Sequence, residues 1–421
     1  MKGLKSKRVR AVKEDTLIVT VDIGVASNTG YCVTLGGRDI KPFKFDNSRE
    51  GFEKFWHMIV ASKNRFGCGD VMVGYESTGP YAEPLAHYLM DKPVTIVQVN
   101  PMHTKRMKEV HDNSPLKTDD KDPRVIADII RLGRTLAVIV PEGDAAYLRR
   151  LNNARERHVG EQTALLNQLQ QLVFVIFPEF KTVLKDIKGK TARYLLTRYT
   201  TPEKISTVPR EALGEEMRKR SMGKFGNKDA ELLIGLARNT IGIKEGLAGI
   251  AMDIRHILLQ LEAEARFIAE IEAEMVVTLQ RIPRSGRLLS IKGLGVVSVA
   301  GLIGEVGDFS KFRTRSEIMK LAGLDLYEVS SGKRKGQRRI SKRGRSLLRK
   351  ILYYASIQMV RKNGIMYDYY TRLTNRGMLR LKALVAVARK LLGIIHAIVR
   401  DDRDYVGAYH APKRRLIQKA A

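Results

Sequence analysis

The chain has 421 residues, 44% of them apolar, which is enough for two or three folded domains and excludes a disordered protein. Lys and Arg outnumber Asp and Glu by 75 to 45, so the formal net charge of +30 indicates a polyanionic partner, with nucleic acid as the first candidate. Two cysteines are too few for a disulfide framework or a cysteine-based zinc site, and without an apolar run of about 20 residues we expect a cytoplasmic protein with no membrane contact.

The first third of the chain, residues 14–144, alternates strand and helix patterns, which is typical of an α/β domain. Strands are predicted at residues 16–22, 30–35, 40–45, 71–76 and 94–99, and helices at 51–62, at 81–90 and in a basic stretch that contains Lys105, Arg106 and Lys108. Lys105 and Arg106 of this stretch are expected to contact nucleic acid. Three strands followed by helix, strand, helix, strand and helix predict a ribonuclease H-like mixed sheet.

The middle of the chain, residues 145–281, is rich in Leu, Ala, Glu and Gln and is predicted to be helical. Apolar residues recur every three or four positions between Leu247 and Leu279, a pattern that favours either a coiled-coil-like intramolecular helical hairpin or an oligomer contact. Residues 181–227 contain Pro202 and Pro209 and are predicted to be an inserted connection or a small subdomain.

The last third, residues 285–405, is predicted to be mainly helical and begins near the segment IKGLGVVSVAGLIGEVGDFSKF. Two short helices on either side of Gly293 and Gly295 would direct backbone N–H groups at a phosphate, as in a helix-hairpin-helix. The alternative is a tight turn that serves packing only.

Four acidic residues form a candidate metal site: Asp22, Glu76, Asp119 and Asp122. Asp22 and Glu76 end predicted strands, where α/β sheets present functional groups, and Asp119 and Asp122 have the spacing that places two carboxylates on one side of a helical turn. Carboxylates suit Mg²⁺, with Mn²⁺ as an alternative. Taken singly, Asp22 could be a turn residue and Asp122 a helix N-cap before Pro123.

A second constellation begins at Ser330-Ser331-Gly332. The stretch from Ser331 to Lys350 contains ten Lys or Arg and no acid. From the residues alone, this is a polar turn that precedes a patch for the DNA backbone. The cations that we expect to contact nucleic acid here are Lys333, Arg334, Lys335, Arg338, Arg339, Lys342, Arg343 and Arg345.

These motifs resemble those of the insertion sequence 110 transposases, also called DEDD transposases or bridge-RNA-guided recombinases. The matching segments are VDIG, YESTGPY, VNPMHTKRMKE and KTDDKD in the first third, and IKGLGVVSVAGLIGEVGDFSKF and LAGLDLYEVSSGKRKGQRRISKRGRSLLRKILY in the last third. The resemblance implies a RuvC-like nuclease domain, a C-terminal transposase domain, and Ser331 as a nucleophile that forms a covalent phosphoserine intermediate. Ser330 is the neighbouring alternative. Pro123 and Asp120 depart from the family pattern around Asp119 and Asp122.

The resemblance also implies the partners of such an enzyme. They are double-stranded DNA at the element ends and at the target, a structured noncoding guide RNA, and further copies of the chain in a dimer or tetramer. The enzyme would be cytoplasmic in a prokaryote and associated with the nucleoid when it acts. Three alternatives stay open: a RuvC-type Holliday-junction or structure-specific nuclease, a sugar-kinase or actin-like ATPase, and a noncatalytic nucleic-acid scaffold.

Overall fold

A computed structural model of the chain describes residues 12–76, 79–112, 121–138, 140–328 and 336–406. The chain divides into two compact units, Met1–Val140 and Pro141–Ala421. Within the described ranges, the helices lack the combination of length and apolar character that crossing a bilayer requires.

The first unit is built on a six-stranded mixed sheet with the order β3-β2-β1-β4-β5-β6. Its strands are β1 (Thr16–Asp22), β2 (Ser27–Thr34), β3 (Phe43–Asp46), β4 (Asp70–Glu76), β5 (Thr95–Val99) and β6 (Leu136–Ala137). Its helices are α1 (Arg49–Phe66), α2 (Glu83–Met90), α3 (Pro101–Asp112) and α4 (Lys121–Arg131), with a short 3-10 helix at Gly79–Ala82. Strands β1, β4 and β5 are parallel, whereas β2 is antiparallel to β1 and to β3, and β6 is antiparallel to β5.

The predicted order of elements in this unit is confirmed, with shifts at the ends. Helix α1 extends beyond the predicted 51–62 because the Ser48 hydroxyl accepts a hydrogen bond from the Gly51 amide at 3.0 Å, and Gly67 closes the helix with a φ of +65°. Strand β3 starts at Phe43, directly after Pro42, which has no amide to donate to a sheet.

Helices cover both faces of the sheet, and alternate residues of β1 point to opposite faces. Leu17, Val19 and Val21 pack in one core with side chains of α1 and α2. Ile18 packs in a second core with Val125, Ile126, Ile129 and Ile130 of α4. Because Thr20 and Asp22 share the face of Ile18, helix α4 covers the side of the sheet to which Asp22 belongs.

The second unit is helical apart from one small two-stranded sheet. Its helices are α5 (Gly143–Ile176), α6 (Phe180–Val183), α7 (Lys190–Tyr199), α8 (Pro202–Ser206), α9 (Arg210–Ser221), α10 (Asn227–Arg238), α11 (Leu247–Arg281), α12 (Ser285–Leu289), α13 (Val296–Val306), α14 (Arg315–Leu321), α15 (Ser346–Met359), α16 (Tyr367–Asn375) and α17 (Arg380–Asp401). A 3-10 helix spans Phe309–Lys311, and β7 (Leu326–Tyr327) pairs antiparallel with β8 (Arg339–Ile340). The α/β character of the first unit and the helical character of the second agree with the sequence-based expectation.

Helices α5 and α11 run antiparallel along each other within one chain. Two ion pairs link the first part of α5 to the last part of α11: Arg281 Nη2 lies 2.9 Å from Asp144 Oδ1, and Arg155 Nε lies 2.7 Å from Glu272 Oε1. The predicted apolar stripe therefore serves an intramolecular contact.

Residues 181–227 fold as a small helical subdomain, not as a bare connection. Phe180, Leu195, Leu213, Met217 and Leu233, from helices α6, α7, α9 and α10, are buried in one core. The same core includes the end of α5 and the start of α11. This subdomain therefore connects α5 to α11 and packs against the end of α5 and the start of α11.

Candidate active site

Asp22 and Glu76 lie side by side at the carboxyl edge of the sheet in the first unit. Strands β1 and β4 are parallel, and Val21 pairs with Tyr75, so the next residue of each strand is an acid. Both carboxylates are half-buried. Parallel strands all end at the same edge of a sheet, and α/β folds place their reactive groups at this carboxyl edge.

Glu76 shares the sheet face of Asp22. Met72 packs in the core that contains α4, and a Cβ added at Gly74 would lie 2.3 Å from Cδ1 of Ile130 on α4. Side chains at positions 72, 74 and 76 of a strand point the same way. Tyr75 points to the opposite face, where burial raises the pKa of its phenol to about 12, so that Tyr75 stays protonated and is excluded as a base.

A buried hydrogen bond fixes the start of α4 beside these acids. The hydroxyl of Thr20 donates to the backbone carbonyl of Pro123 at 2.7 Å. Asp122, one residue earlier, is 6% exposed. Since Thr20 precedes Asp22 by two residues on the same face of β1, this bond places the first turn of α4 next to the carboxyl end of β1.

Asp122 faces a cation from the neighbouring helix. Nζ of Lys108 on α3 lies 2.5 Å from Oδ1 of Asp122, and the side chain of Lys108 is 29% exposed. The ammonium of Lys108 therefore supplies the charge that compensates this buried oxygen. A buried carboxylate oxygen without a hydrogen bond is costly unless a cation compensates it.

Three of the four predicted acids, Asp22, Glu76 and Asp122, fall in the described part of the chain. Asp119 lies outside the described residues. In the described part of the chain, the ligand oxygens of Asp22, Glu76 and Asp122 do not all lie within 4.8 Å of one another. Carboxylates that hold two metal ions about 3.5–4 Å apart need not all meet around one ion. A set of carboxylate donors fits hard divalent cations such as Mg²⁺, which prefer oxygen ligands.

The predicted serine motif lies between two strands of the second unit. Leu326 pairs with Ile340 and Tyr327 with Arg339, so β7 and β8 form the base of a hairpin. Ser330 and Ser331 fall in the connecting segment and lie outside the described residues, as do Lys333, Arg334 and Lys335. The base of the hairpin is held by the hydroxyl of Ser341, which donates to Oδ1 of Asp325.

The other predicted DNA-contacting cations have different environments. Arg339, Lys342 and Arg343 follow the hairpin closely and are mostly exposed, as are Lys105 and Arg106 on α3. Arg338 is exposed, but its Nε lies 3.0 Å from Glu328. Arg345 is engaged internally, because its Nη1 donates to the backbone carbonyl of Glu305 on α13. A contact between Arg345 and nucleic acid stays a prediction, and it would compete with the hydrogen bond from Arg345 to Glu305.

The predicted turn between two short helices joins α12 to α13. Gly293 has a φ of +101°, a conformation that favours glycine, and the side chain of Leu294 is buried. Gly295 is exposed and precedes α13, whose N-terminus has no side-chain cap. The first amides of α13 are therefore open to an anion, although a phosphate there stays a prediction.

Sequence patterns alone do not reveal several residues near these sites. Lys108 belongs to a basic stretch, and its pairing with Asp122 appears only in the tertiary structure. Arg389 on α17 is a second example: burial, and then repulsion from Arg315, lowers the pKa of its guanidinium. Arg315 Nη2 donates to the backbone carbonyl of Arg389 at 3.2 Å, while the buried Nε of Arg389 makes no hydrogen bond within the described ranges. Two adjacent guanidinium groups are typical of an anion-binding surface.

Two family models match the chain at these regions. Residues 19–178 match the transposase family DEDD_Tnp_IS110, and residues 285–371 match the transposase IS116/IS110/IS902 family. The first match contains all four candidate acids, and the second contains both the α12–α13 turn and the serine motif.

Similar proteins come from several bacterial insertion elements. The insertion element IS116 uncharacterized 44.8 kDa protein of Streptomyces clavuligerus is 25% identical over 94% of this chain and 98% of that protein. The insertion element IS110 uncharacterized 43.6 kDa protein of Streptomyces coelicolor is 24% identical over 91% of this chain and 94% of that protein. The pilin gene-inverting protein of Moraxella bovis is 27% identical over 30% of this chain and 40% of that protein.

These findings define a DNA transposase, an enzyme that recombines DNA. The chain belongs to the IS110 family of transposases.

Proposed function

We propose that this transposase cuts and rejoins DNA with a metal-binding acidic site in the first unit and a serine nucleophile in the second. The observation that carries the acidic site is the juxtaposition of Asp22 and Glu76 at the ends of parallel neighbours, on the sheet face covered by α4. The strand order β3-β2-β1-β4-β5, with β2 antiparallel to both neighbours, supports a ribonuclease H-like, RuvC-like domain.

Asp22, Glu76, Asp119 and Asp122 would hold Mg²⁺, with Mn²⁺ as the alternative. When bound, the metal would polarise phosphate oxygens and lower the pKa of a bound water or hydroxyl. Asp22 and Glu76 are held in place by sheet backbone, and Asp122 by the bond between Thr20 and Pro123. Lys108 would hold the Asp122 carboxylate in position, since its ammonium lies 2.5 Å from Oδ1.

Ser331 is the proposed nucleophile, with Ser330 as the alternative. Its hydroxyl oxygen would attack phosphorus, the bond from phosphorus to the deoxyribose oxygen would break, and the departing oxygen would take up a proton as the serine proton is lost. Attack on the phosphoserine ester by the hydroxyl of a new strand would restore the serine and join the DNA. The exposed cations Arg339, Lys342 and Arg343 support this role, since they can stabilise charge on the phosphorane.

The DNA backbone would be held at several points of the second unit. The open amides at the start of α13 suit one phosphate, as a helix N-terminus attracts anions. Arg315 and Arg389 suit another phosphate.

A guide RNA and a dimeric or tetrameric assembly are further parts of the proposal. The net charge of +30 supports binding of an RNA–DNA heteroduplex. The protein would contact the sugar-phosphate backbone of the heteroduplex, and base pairing would select the sequence. A guide RNA would be supported if the protein copurified with RNA encoded by the DNA that flanks the gene, and if removal of that RNA abolished recombination. Recombination by RNA-free protein at the same rate would refute it.

The decisive experiment combines strand-cleavage, covalent-adduct and recombination assays on single variants. Ser331→Ala should abolish the protein–DNA adduct, and Asp22→Asn and Glu76→Gln should reduce recombination by about 100-fold or more, since each removes a group that acts in the transition state. Two matched controls should leave recombination intact. They are Ser330→Ala, and Asp70→Asn at the opposite end of β4, where Asp70 forms an exposed pair with Lys13.

Each alternative makes a different prediction in this set. A Holliday-junction nuclease would keep strand cleavage in Ser331→Ala but lose it in Glu76→Gln. A noncatalytic scaffold would keep recombination in Asp22→Asn and Glu76→Gln. An ATPase of related fold would neither bind nucleic acid nor form an adduct. An adduct on Ser330 would reassign the nucleophile.

A further inference from the structure

A His-Glu-Glu group bridges the two long helices of the second unit. His158 and Glu161 are one turn apart on α5, and Glu264 lies opposite on α11. Nδ1 of His158 is 2.8 Å from Oε2 of Glu264 and 3.1 Å from Oε2 of Glu161. The three candidate ligand atoms all lie within 4.8 Å of one another.

This group lies in a stretch where neither helix has a fully buried side chain. Residues 153–168 of α5 and 262–270 of α11 include no buried side chain, whereas Leu169 and Leu261 next to these stretches are buried. Along this stretch the ion pairs of Arg155 and His158 link the two helices, beside partly buried apolar side chains such as Leu165 and Leu166. The His158 and Glu264 side chains are each only about one-fifth exposed (19% and 20%), and Glu161 is 49% exposed.

The imidazole is also oriented by packing. The ring of Phe267 meets that of His158 edge-on, with centroids 4.7 Å apart. A ring fixed in this way presents Nδ1 to both carboxylates without a further loss of side-chain freedom. Preorganised ligands bind metal more tightly because less ordering accompanies binding.

We propose that His158, Glu161 and Glu264 bind one Zn²⁺ ion that links α5 to α11, with water as the fourth ligand. Ligands about 2.0–2.2 Å from a tetrahedral ion lie roughly 3.3 Å apart, so the observed 2.8 and 3.1 Å need to open by only a few tenths of an ångström. An imidazole nitrogen with two carboxylates favours Zn²⁺ over Mg²⁺, which prefers an all-oxygen octahedral shell. Zn²⁺ would bind Nδ1 in its proton-free form.

This site differs in chemistry from the acidic site of the first unit. It contains a nitrogen ligand, and it joins two helices that are far apart in sequence, so that the ion acts as a structural link. The competing explanation is a protonated imidazole that forms an ion triad with two carboxylates. That triad needs no metal and gives no response to Zn²⁺.

The test uses full-length protein that also carries Asp22→Asn and Glu76→Gln, so that metal at the acidic site contributes little. After chelation of metals, Zn²⁺ binding is titrated by calorimetry, Co²⁺ binding is followed by its visible absorption, and the Tm is measured with and without Zn²⁺. We expect one tight Zn²⁺ per chain, a tetrahedral Co²⁺ spectrum and a Tm that rises with Zn²⁺.

His158→Ala should weaken Zn²⁺ binding by at least about tenfold and remove the Tm response. Loss of a residue that only hydrogen-bonds to a metal ligand already lowers metal affinity by about tenfold or more, and loss of the ligand itself should lower it further. His256→Ala is the matched control, since His256 is an exposed histidine on α11, and it should behave like the parent. If His158→Ala does not fold, Glu161→Gln, which changes the most exposed ligand, should weaken binding in the same way. No Zn²⁺-dependent rise in Tm, or a rise that persists in these variants, would overturn the proposal and leave an ion triad.

Discussion

Gly74 allows α4 to lie close to the sheet, and Gly74→Ala should push this helix away. The added Cβ would be 2.3 Å from Cδ1 of Ile130 and 3.1 Å from Cγ2 of Val97. Carbon atoms in contact are about 3.5–4.0 Å apart, so the Ile130 methyl must move by roughly 1.2–1.7 Å. Ile130 is fully buried, and overpacking of this kind costs about 1–3 kcal/mol of unfolding free energy.

The chain offers a compensating substitution for this test. Ile130→Val removes the Cδ1 methyl that the new Cβ would meet, and alone it should cost about 1 kcal/mol through lost packing. The double variant should lose less unfolding free energy than the two single variants lose together, by about 1 kcal/mol or more, because the clash is gone. Urea unfolding followed by circular dichroism gives all four free energies.

The same pair reports on the acidic site. Helix α4 carries Asp122, so Gly74→Ala should also reduce recombination, and Ile130→Val in the same chain should restore part of it. Gly36→Ala is the control, since a Cβ there has open space apart from the Thr34 hydroxyl at 4.0 Å. Strict additivity of the Gly74 and Ile130 variants would refute the proposed contact between α4 and β4.

Three further predictions concern other parts of the molecule. Iodoacetamide at pH 8 should modify Cys68 and spare Cys32 until the chain unfolds, because Cys32 is fully buried and burial raises its thiol pKa to about 12; equal rates by mass spectrometry would contradict this. The hydrogen bond from the Ser310 hydroxyl is the first cause of the lowered pKa of Asp308. The ionised Asp308 carboxylate therefore stabilises the fold above about pH 4, and this stabilisation is lost as pH falls through the lowered pKa. Asp308→Asn should flatten the acid side of a plot of unfolding free energy against pH, and an unchanged plot would contradict this role. Gly304→Val should cost about 3 kcal/mol in urea unfolding, since its Cβ would lie 2.7 Å from a backbone nitrogen of α5; a wild-type midpoint would exclude this close helix contact.

Local patterns in the sequence determine much of the first unit. Apolar runs that end in an acid identify β1 and β4 together with Asp22 and Glu76, because strand length and its polar end are local properties. The parallel pairing of β1 with β4, which makes these acids neighbours, comes from the tertiary structure. The two-residue strand β6 was not predicted, since it exists only through its antiparallel pairing with β5.

Contacts between distant segments required the tertiary structure. The bond from Thr20 to Pro123 spans 103 positions, and the pairs of Arg155 with Glu272 and of His158 with Glu264 span 117 and 106. The helical periodicity of α11 shows that one side is apolar, but it leaves the partner helix and the polar break in the stripe undetermined. Sequence therefore determined which elements form and which residues carry charge. Packing decided which of those charges meet, because side chains far apart in the chain are brought together only when the helices and sheet bury their apolar faces.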